Sequence, residues 1–256
     1  MGNLVTLVKK EIIEIKQVKY IGLLALLVLF GIGTPILLNM LPIMLESSGK
    51  GYLKDMMPNL MNFPSIMESY LSGVSQLGLL AVIFTYSGLI SEERSKGITS
   101  LILVKSVSRS TYLVSKIISA FISAFLLTLI SIICLLYSTW VFVPDFSAKN
   151  FMISASVILL YIIMVAIISV EFSALFKKSW VGGLAVLSIT FVIGLLPTVL
   201  PKKIAVYSPS NLFPLALNIS KGNIIWNDIW PSILGAVICM VAFYILSIRI
   251  FSKTEL

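Results

Sequence analysis

Residues 152–176 read MISASVILLYIIMVAIISVEFSALF, with one ionisable side chain, Glu171, near the C-terminal end. A helix rising 1.5 Å per residue needs roughly 20 apolar residues to cross a hydrocarbon core of about 30 Å. The stretch is apolar on every face, whereas a barrel strand would alternate, so it reads as a spanning helix. Five further segments are of the same kind, at about 20–41, 73–91, 117–140, 180–199 and 230–250. The expected fold is an all-α polytopic membrane protein with six transmembrane helices in one transmembrane domain covering 1–256.

Composition agrees. Apolar residues make up 58% of the chain, charged residues 12%, and the mean hydropathy is +1.04. A soluble domain carries about twice that charge, because water must hydrate its surface. The net charge of +8 does not point to nucleic acid, since the basic residues lie between apolar runs and not in one patch. Their placement reads as topology, with membrane lipid headgroups as a secondary partner. With the N-terminus inside, the inner segments hold Lys9, Lys10, Lys16, Lys19, Arg94, Lys96, Lys105, Arg109, Lys116, Lys177, Lys178, Arg249 and Lys253. The outer segments hold the other six, Lys50, Lys54, Lys149, Lys202, Lys203 and Lys221. Both termini are therefore expected in the cytoplasm. The first run follows a charged stretch and is too long for a cleavable signal core, so it reads as a retained signal-anchor helix. Tyr20, Tyr70, Trp140, Trp180, Trp226 and Trp230 fall near span ends, where amphipathic rings anchor.

Gly31, Gly33 and Pro35 in the first run, and Gly194 and Pro197 in the fifth, mark either kinks or close helix packing. Two outer segments, about 42–72 and 200–229, mix prolines with Met56, Met57, Leu60, Phe63, Leu212 and Phe213. They are too apolar for free loops and are expected to form short outer-leaflet helices. No internal repeat supports an inverted-repeat transporter. Cys134 and Cys239 lie inside apolar runs, where a disulfide is not expected.

Residues 3–19 place Leu4, Val8, Ile12 and Ile15 at helical spacing among charges, the pattern of an interfacial helix along the inner leaflet. The inner loop over 92–116 is longer than reversal of direction requires. It opens Glu92-Glu93-Arg94-Ser95-Lys96-Gly97, continues through the apolar block Leu101–Val104, and leaves through Ser108-Arg109 and Lys116. A charged turn, an apolar patch too short to cross and a basic exit suit an element that docks into another protein.

In this loop the chain resembles the permease subunits of type-2 class bacterial ABC exporters. Glu93-x-x-x-Gly97, the Leu101–Leu103 block, Ser108-Arg109 and Lys116 fall at that family's spacing. Ile98 stands where threonine is usual and Ser106 where proline is usual. The resemblance implies a cytoplasmic coupling helix that seats in a groove of a separate ABC-type ATPase subunit, present in two copies. It also implies a second permease subunit, identical or homologous. Glu93 and Arg109 would make charge contacts or brace the loop, Gly97 would turn it, Leu101, Ile102 and Leu103 would supply the buried patch, and Glu92, Ser108 and Lys116 would belong to the same coupling site. No P-loop pattern occurs in this chain. ATP and Mg would therefore sit on the partner, with no cofactor and no catalytic residue here. The substrate would be a peptide, an amphiphile or an ion.

Glu171 is a candidate for the substrate path, because an ionisable residue inside a run is functional by default. A simpler account pairs it with Lys178, two turns on along the same face. The chain has no histidine, so the paired glutamates Glu92 and Glu93 cannot belong to a histidine-containing metal site. The rival functions are a stand-alone secondary transporter or channel, which would need intramembrane charges, and a membrane scaffold, which would not need the coupling pattern.

Overall fold

The computed structural model describes residues 2–14, 18–47, 62–104, 108–143, 146–224 and 226–253. Helix α1 (Gly2–Glu14) precedes α2 (Val18–Ser47), the first spanning helix. The second is built from α3 (Phe63–Gly73), a π turn (Val74–Gly78) and α4 (Leu79–Tyr86). Two short helices follow, α5 (Ser91–Ser95) and α6 (Ile98–Val104). Then come α7 (Arg109–Phe142), α8 (Ala148–Leu175) and α9 (Ser179–Val199). The short α10 (Lys202–Ala205), a 3₁₀ turn (Pro209–Asn211) and α11 (Leu212–Ser220) lead into α12 (Trp226–Lys253). Among the described residues six helical stretches are long and apolar enough to cross a membrane. The chain is an all-α polytopic membrane protein.

Helix α8 is the centre of the bundle. It packs against α4, α7, α9, α11 and α12, and most of its spanning window is buried. That explains why the 152–176 stretch is apolar all round: it has protein on nearly every side. Side-chain oxygens of Asn62, Ser108 and Ser147 accept from Ser65 N, Thr111 N and Asn150 N and cap α3, α7 and α8, each satisfying an otherwise orphan amide.

The second span begins at Phe63, about ten residues before its expected start. The end of the 42–72 segment is thus the start of that helix and not a separate outer-leaflet helix, with Pro64 in the first turn, where its missing N–H costs nothing. Met56, Met57 and Leu60 lie outside the described residues. The 200–229 segment does hold short helices, and they sink into the bundle. Phe213 meets Tyr161 edge-on at 4.7 Å between ring centroids. Tyr161 is 13 residues into α8, roughly 20 Å from its start.

Tyr20 and Tyr70 are buried and do not anchor at an interface. The Tyr70 hydroxyl lies 3.0 Å from Ser131 Oγ, and Tyr20 packs edge-on against Tyr86, so both rings find partners inside the bundle. Trp140, Trp180, Trp226 and Trp230 are exposed near helix ends.

The glycine and proline positions divide clearly. A Cβ on Gly31 would lie 2.7 Å from the Ser131 carbonyl oxygen, so Gly31 marks the close approach of α2 to α7. Nothing lies within 4 Å of such an atom on Gly194. Pro35 sits inside α2 and Pro197 inside α9. Each lacks the N–H that would bond the carbonyl four residues back, which frees the Gly31 and Ile193 oxygens. In lipid a freed carbonyl must find another donor. Ser138 Oγ donates to Gly31 O at 2.8 Å, and Ser208 and Ser210 donate to Ile193 O at 3.1 Å each. Ser138→Ala should therefore cost about 1–3 kcal/mol, the penalty for a buried orphan. Adding Pro35→Ala should recover much of it by restoring an amide donor. Thermal unfolding of the four combinations in detergent measures this. Equal stability of Ser138→Ala and the double variant would exclude the pairing.

Candidate functional site

Tyr86 ends α4, and the chain turns through residues 87–90 into α5. The amides of Ile90 and Ser91 donate to Ser173 Oγ of α8 at 2.9 and 3.0 Å, so the central helix holds the start of the charged loop. Helix α5 ends at Lys96, and Gly97 takes φ +71° before α6 begins. No side chain crowds Gly97; the left-handed backbone alone calls for glycine.

Beneath this hairpin lies a closed set of charges. Glu93 Oε1 lies 2.8 Å from Lys10 Nζ of α1, and Glu93 Oε2 lies 2.8 Å from Lys116 Nζ of α7. Lys116 Nζ also lies 2.8 Å from Glu11 Oε2. The side chain of Lys116 is 1% exposed, that of Glu11 4% and that of Glu93 12%. Two cations thus face two carboxylates with little water, the condition under which buried charge is tolerated. Burial pushes the Glu11 carboxyl above its ordinary value, and the Lys116 ammonium pulls the other way. Tyr112 donates its hydroxyl to Glu93 Oε2 and lies 3.4 Å from Thr99 Oγ1. Thr99 of α6 thus supplies a buried hydroxyl to the cluster.

The C-terminal end of α12 joins the same cluster. Arg109 Nη1 donates to the Phe251 carbonyl at 3.0 Å, and the Tyr112 ring stacks on Phe251 with centroids 6.3 Å apart. A guanidinium at the last turn of a helix is well placed for its unsatisfied carbonyls and its dipole. Glu92 pairs with Lys19 at the start of α2. Ser108 caps α7.

The loop residues therefore have two roles. Glu93 and Lys116 turn inward and tie α1 and α7 to the hairpin, Glu92 ties it to α2 through a half-exposed pair, and Arg109 ties α7 to α12. Leu101 turns outward and is 70% exposed, while Ile102 packs on the core. The side chain of Leu103 and residues 105–107 lie outside the described residues. Lys10 and Glu11 complete the cluster. Their sequence signal was only the alternating charge of an amphipathic segment, which does not say which face packs inward.

No known protein-family profile matches the chain. It is 32% identical over 120 residues to a protein of Bacillus subtilis (strain 168) named "Uncharacterized transmembrane protein YxlG". That match covers 45% of this chain and 46% of the relative, so the chain spans about half the length of the curated protein it matches. Both are transmembrane proteins.

Glu171 does not pair with Lys178. Helix α8 stops at Leu175 and Phe176 is extended, so the helical spacing that would stack residue 178 over residue 171 is lost. Lys178 is exposed, whereas Glu171 is 1% exposed. Among the described residues Glu171 Oε2 has no hydrogen-bond partner, and its backbone carbonyl accepts from Ser247 Oγ at 3.1 Å. Among the described residues no group of His, Cys, Asp and Glu is placed to hold a metal ion.

Proposed function

We propose that the chain is the membrane-spanning permease subunit of an ATP-driven ABC-type transporter, with the hairpin 91–104 as the coupling element for a separate ATPase. The observation that carries this reading is the division of labour in the loop. Its two carboxylates brace it, Glu92 to α2 and Glu93 to α1 and α7, while Leu101 is left on the outside of a short helix. A rigidly supported element with an exposed apolar knob is suited to transmit force from a docked partner. The loop pattern described above and the concentration of basic residues at the α1 end support a cytoplasmic location for it. ATP and Mg would be handled by two ATPase subunits, and a second permease copy or homologue would complete the path. This chain would bind no cofactor and catalyse no reaction.

The test is purification of the tagged chain from its native membrane, followed by assay of co-purifying ATP hydrolysis. Leu101→Asp leaves the buried charge cluster intact and should reduce the retained ATPase roughly thirtyfold, the equivalent of a hot-spot loss of about 2 kcal/mol. The variant should unfold at the same temperature as the parent. Absence of an ATPase from the parent preparation, or full retention by Leu101→Asp, would refute the reading.

A further inference from the structure

Helix α3 presents its faces in the reverse of what lipid requires. Phe63, Ile66, Met67, Tyr70, Leu71 and Val74 turn into the bundle and are buried. Glu68, Ser72, Ser75 and Gln76 turn outward and are exposed. This polar stripe passes into the π turn at Val74–Gly78, a helix irregularity that often accompanies a functional site.

The stripe forms one wall of a groove of 570 Å³, within the roughly 300–1,000 Å³ of small-ligand sites. Ser65, Glu68, Ser69 and Ser72 line that wall, and Leu29, Leu37 and Leu41 of α2 line the other. The depth of the groove follows from the helix. Glu92, paired with Lys19, marks the α1 end of the bundle. Glu68 is 18 residues before Tyr86, where the second span ends, or roughly 27 Å of helical rise. The hydrocarbon core is about 30 Å thick, so Glu68 stands at the far boundary. Gln76, ten residues before Tyr86, lies roughly 15 Å along, inside the core.

A carboxylate at the boundary, a descending row of hydroxyls and an opposing apolar wall are complementary to one kind of molecule. Glu68 has no ion-pair partner among the described residues. Ser75 Oγ donates to Ser72 O at 3.0 Å and Gln76 Nε2 to Ser72 Oγ at 3.1 Å. Glu68 is thus the group of the stripe that calls for a partner, since an uncompensated charge is costly beside hydrocarbon. We propose that the groove between α2 and α3 binds a small cationic amphiphile, with an ammonium or guanidinium head on Glu68 and its apolar chain along Leu29 and Leu37. As a substrate assignment this rests on the transporter reading; as a binding site it stands on the groove itself.

The experiment uses the full chain in phosphatidylcholine nanodiscs and two probes, a dansyl-labelled dodecylammonium and its dodecyl sulfate counterpart. The cationic probe should bind saturably and at least tenfold more tightly than the anionic one. Glu68→Gln should weaken it about tenfold, Glu68→Asp should restore most of the affinity, and Ser72→Leu should weaken it without altering the charge preference. Equal affinity for the two probes, or unchanged affinity in Glu68→Gln, overturns the proposal. So does complete self-cross-linking of Ser72→Cys in a Cys134→Ala, Cys239→Ala background, because a second copy would then fill the groove. No ATPase is present in this assay. Probe binding without ATPase capture would refute the transporter reading alone, and ATPase capture without probe binding would refute the groove alone.

Discussion

Replacing Lys116 with methionine is expected to destabilise the protein by about 3–5 kcal/mol, the usual effect of removing one partner from a buried ionic set. Lys116 is the only cation within 4 Å of both Glu11 and Glu93 in the described cluster apart from Lys10, whose contact with Glu11 is longer at 3.5 Å. Without Lys116, two buried carboxylates face each other with one half-exposed lysine between them. The damage should be local as well as global. Helices α1 and α5 both reach α7 through this ammonium, so protease sensitivity in the 91–108 loop should rise before the spans unfold.

A companion variant separates charge from packing. Lys116→Met combined with Glu11→Gln and Glu93→Gln removes the three buried charges, leaves only the half-exposed Lys10, and keeps the volume nearly constant. Replacement of a complete buried ionic set by neutral groups is often close to neutral, so the triple variant should regain more than half of the lost stability. Thermal unfolding in detergent and limited proteolysis read both effects. A Lys116→Met protein as stable as the parent, or a triple variant no better than the single, would show that the cluster does not hold the loop.

Legibility in the sequence followed the physics of each feature. The spans could be read because hydropathy is a property of residue type summed over a window, and α8 showed it most clearly. The start of the second span was harder to see because Ser65, Glu68, Ser69 and Ser72 lower the window average while the helix continues through them. The start of the third was obscured differently: α7 begins at Arg109 with a serine-capped polar turn that extends beyond its apolar run. In the candidate site, the spacing of Glu93, Gly97, Arg109 and Lys116 was visible, but the inward direction of the charges was not. That direction depends on α1 folding back onto α7, a long-range contact that no local pattern encodes. Glu171 shows the converse. Helical spacing suggested Lys178 as its partner, and the helix ended too early for the spacing to apply.

Gly235 gave no sequence signal, yet its substitution is expected to be among the most damaging in the chain. A Cβ at this position would fall 1.7 Å from the Tyr207 carbonyl oxygen and 2.8 Å from its carbonyl carbon. These are backbone atoms, so no side-chain rotation can make room; α12 or the 202–211 segment must move. One turn away Ser232 Oγ donates to Val206 O at 2.9 Å, and that bond would stretch with the shift. The segment is also fixed from its other side, where Ser208 and Ser210 hold the Ile193 carbonyl freed by Pro197. Strain at Gly235 therefore cannot be relieved without breaking one set of hydrogen bonds or the other. Gly235→Ala should cost about 3 kcal/mol, at the upper end of ordinary overpacking. Gly194→Ala is the control: nothing lies within 4 Å of its added methyl, and the helix should gain up to about 1 kcal/mol from the better helix former. Thermal unfolding of the two variants should thus shift in opposite directions. A Gly235→Ala protein that matches the parent would mean that α12 does not approach Tyr207 this closely, and that the short helices after α9 are not clamped between α9 and α12.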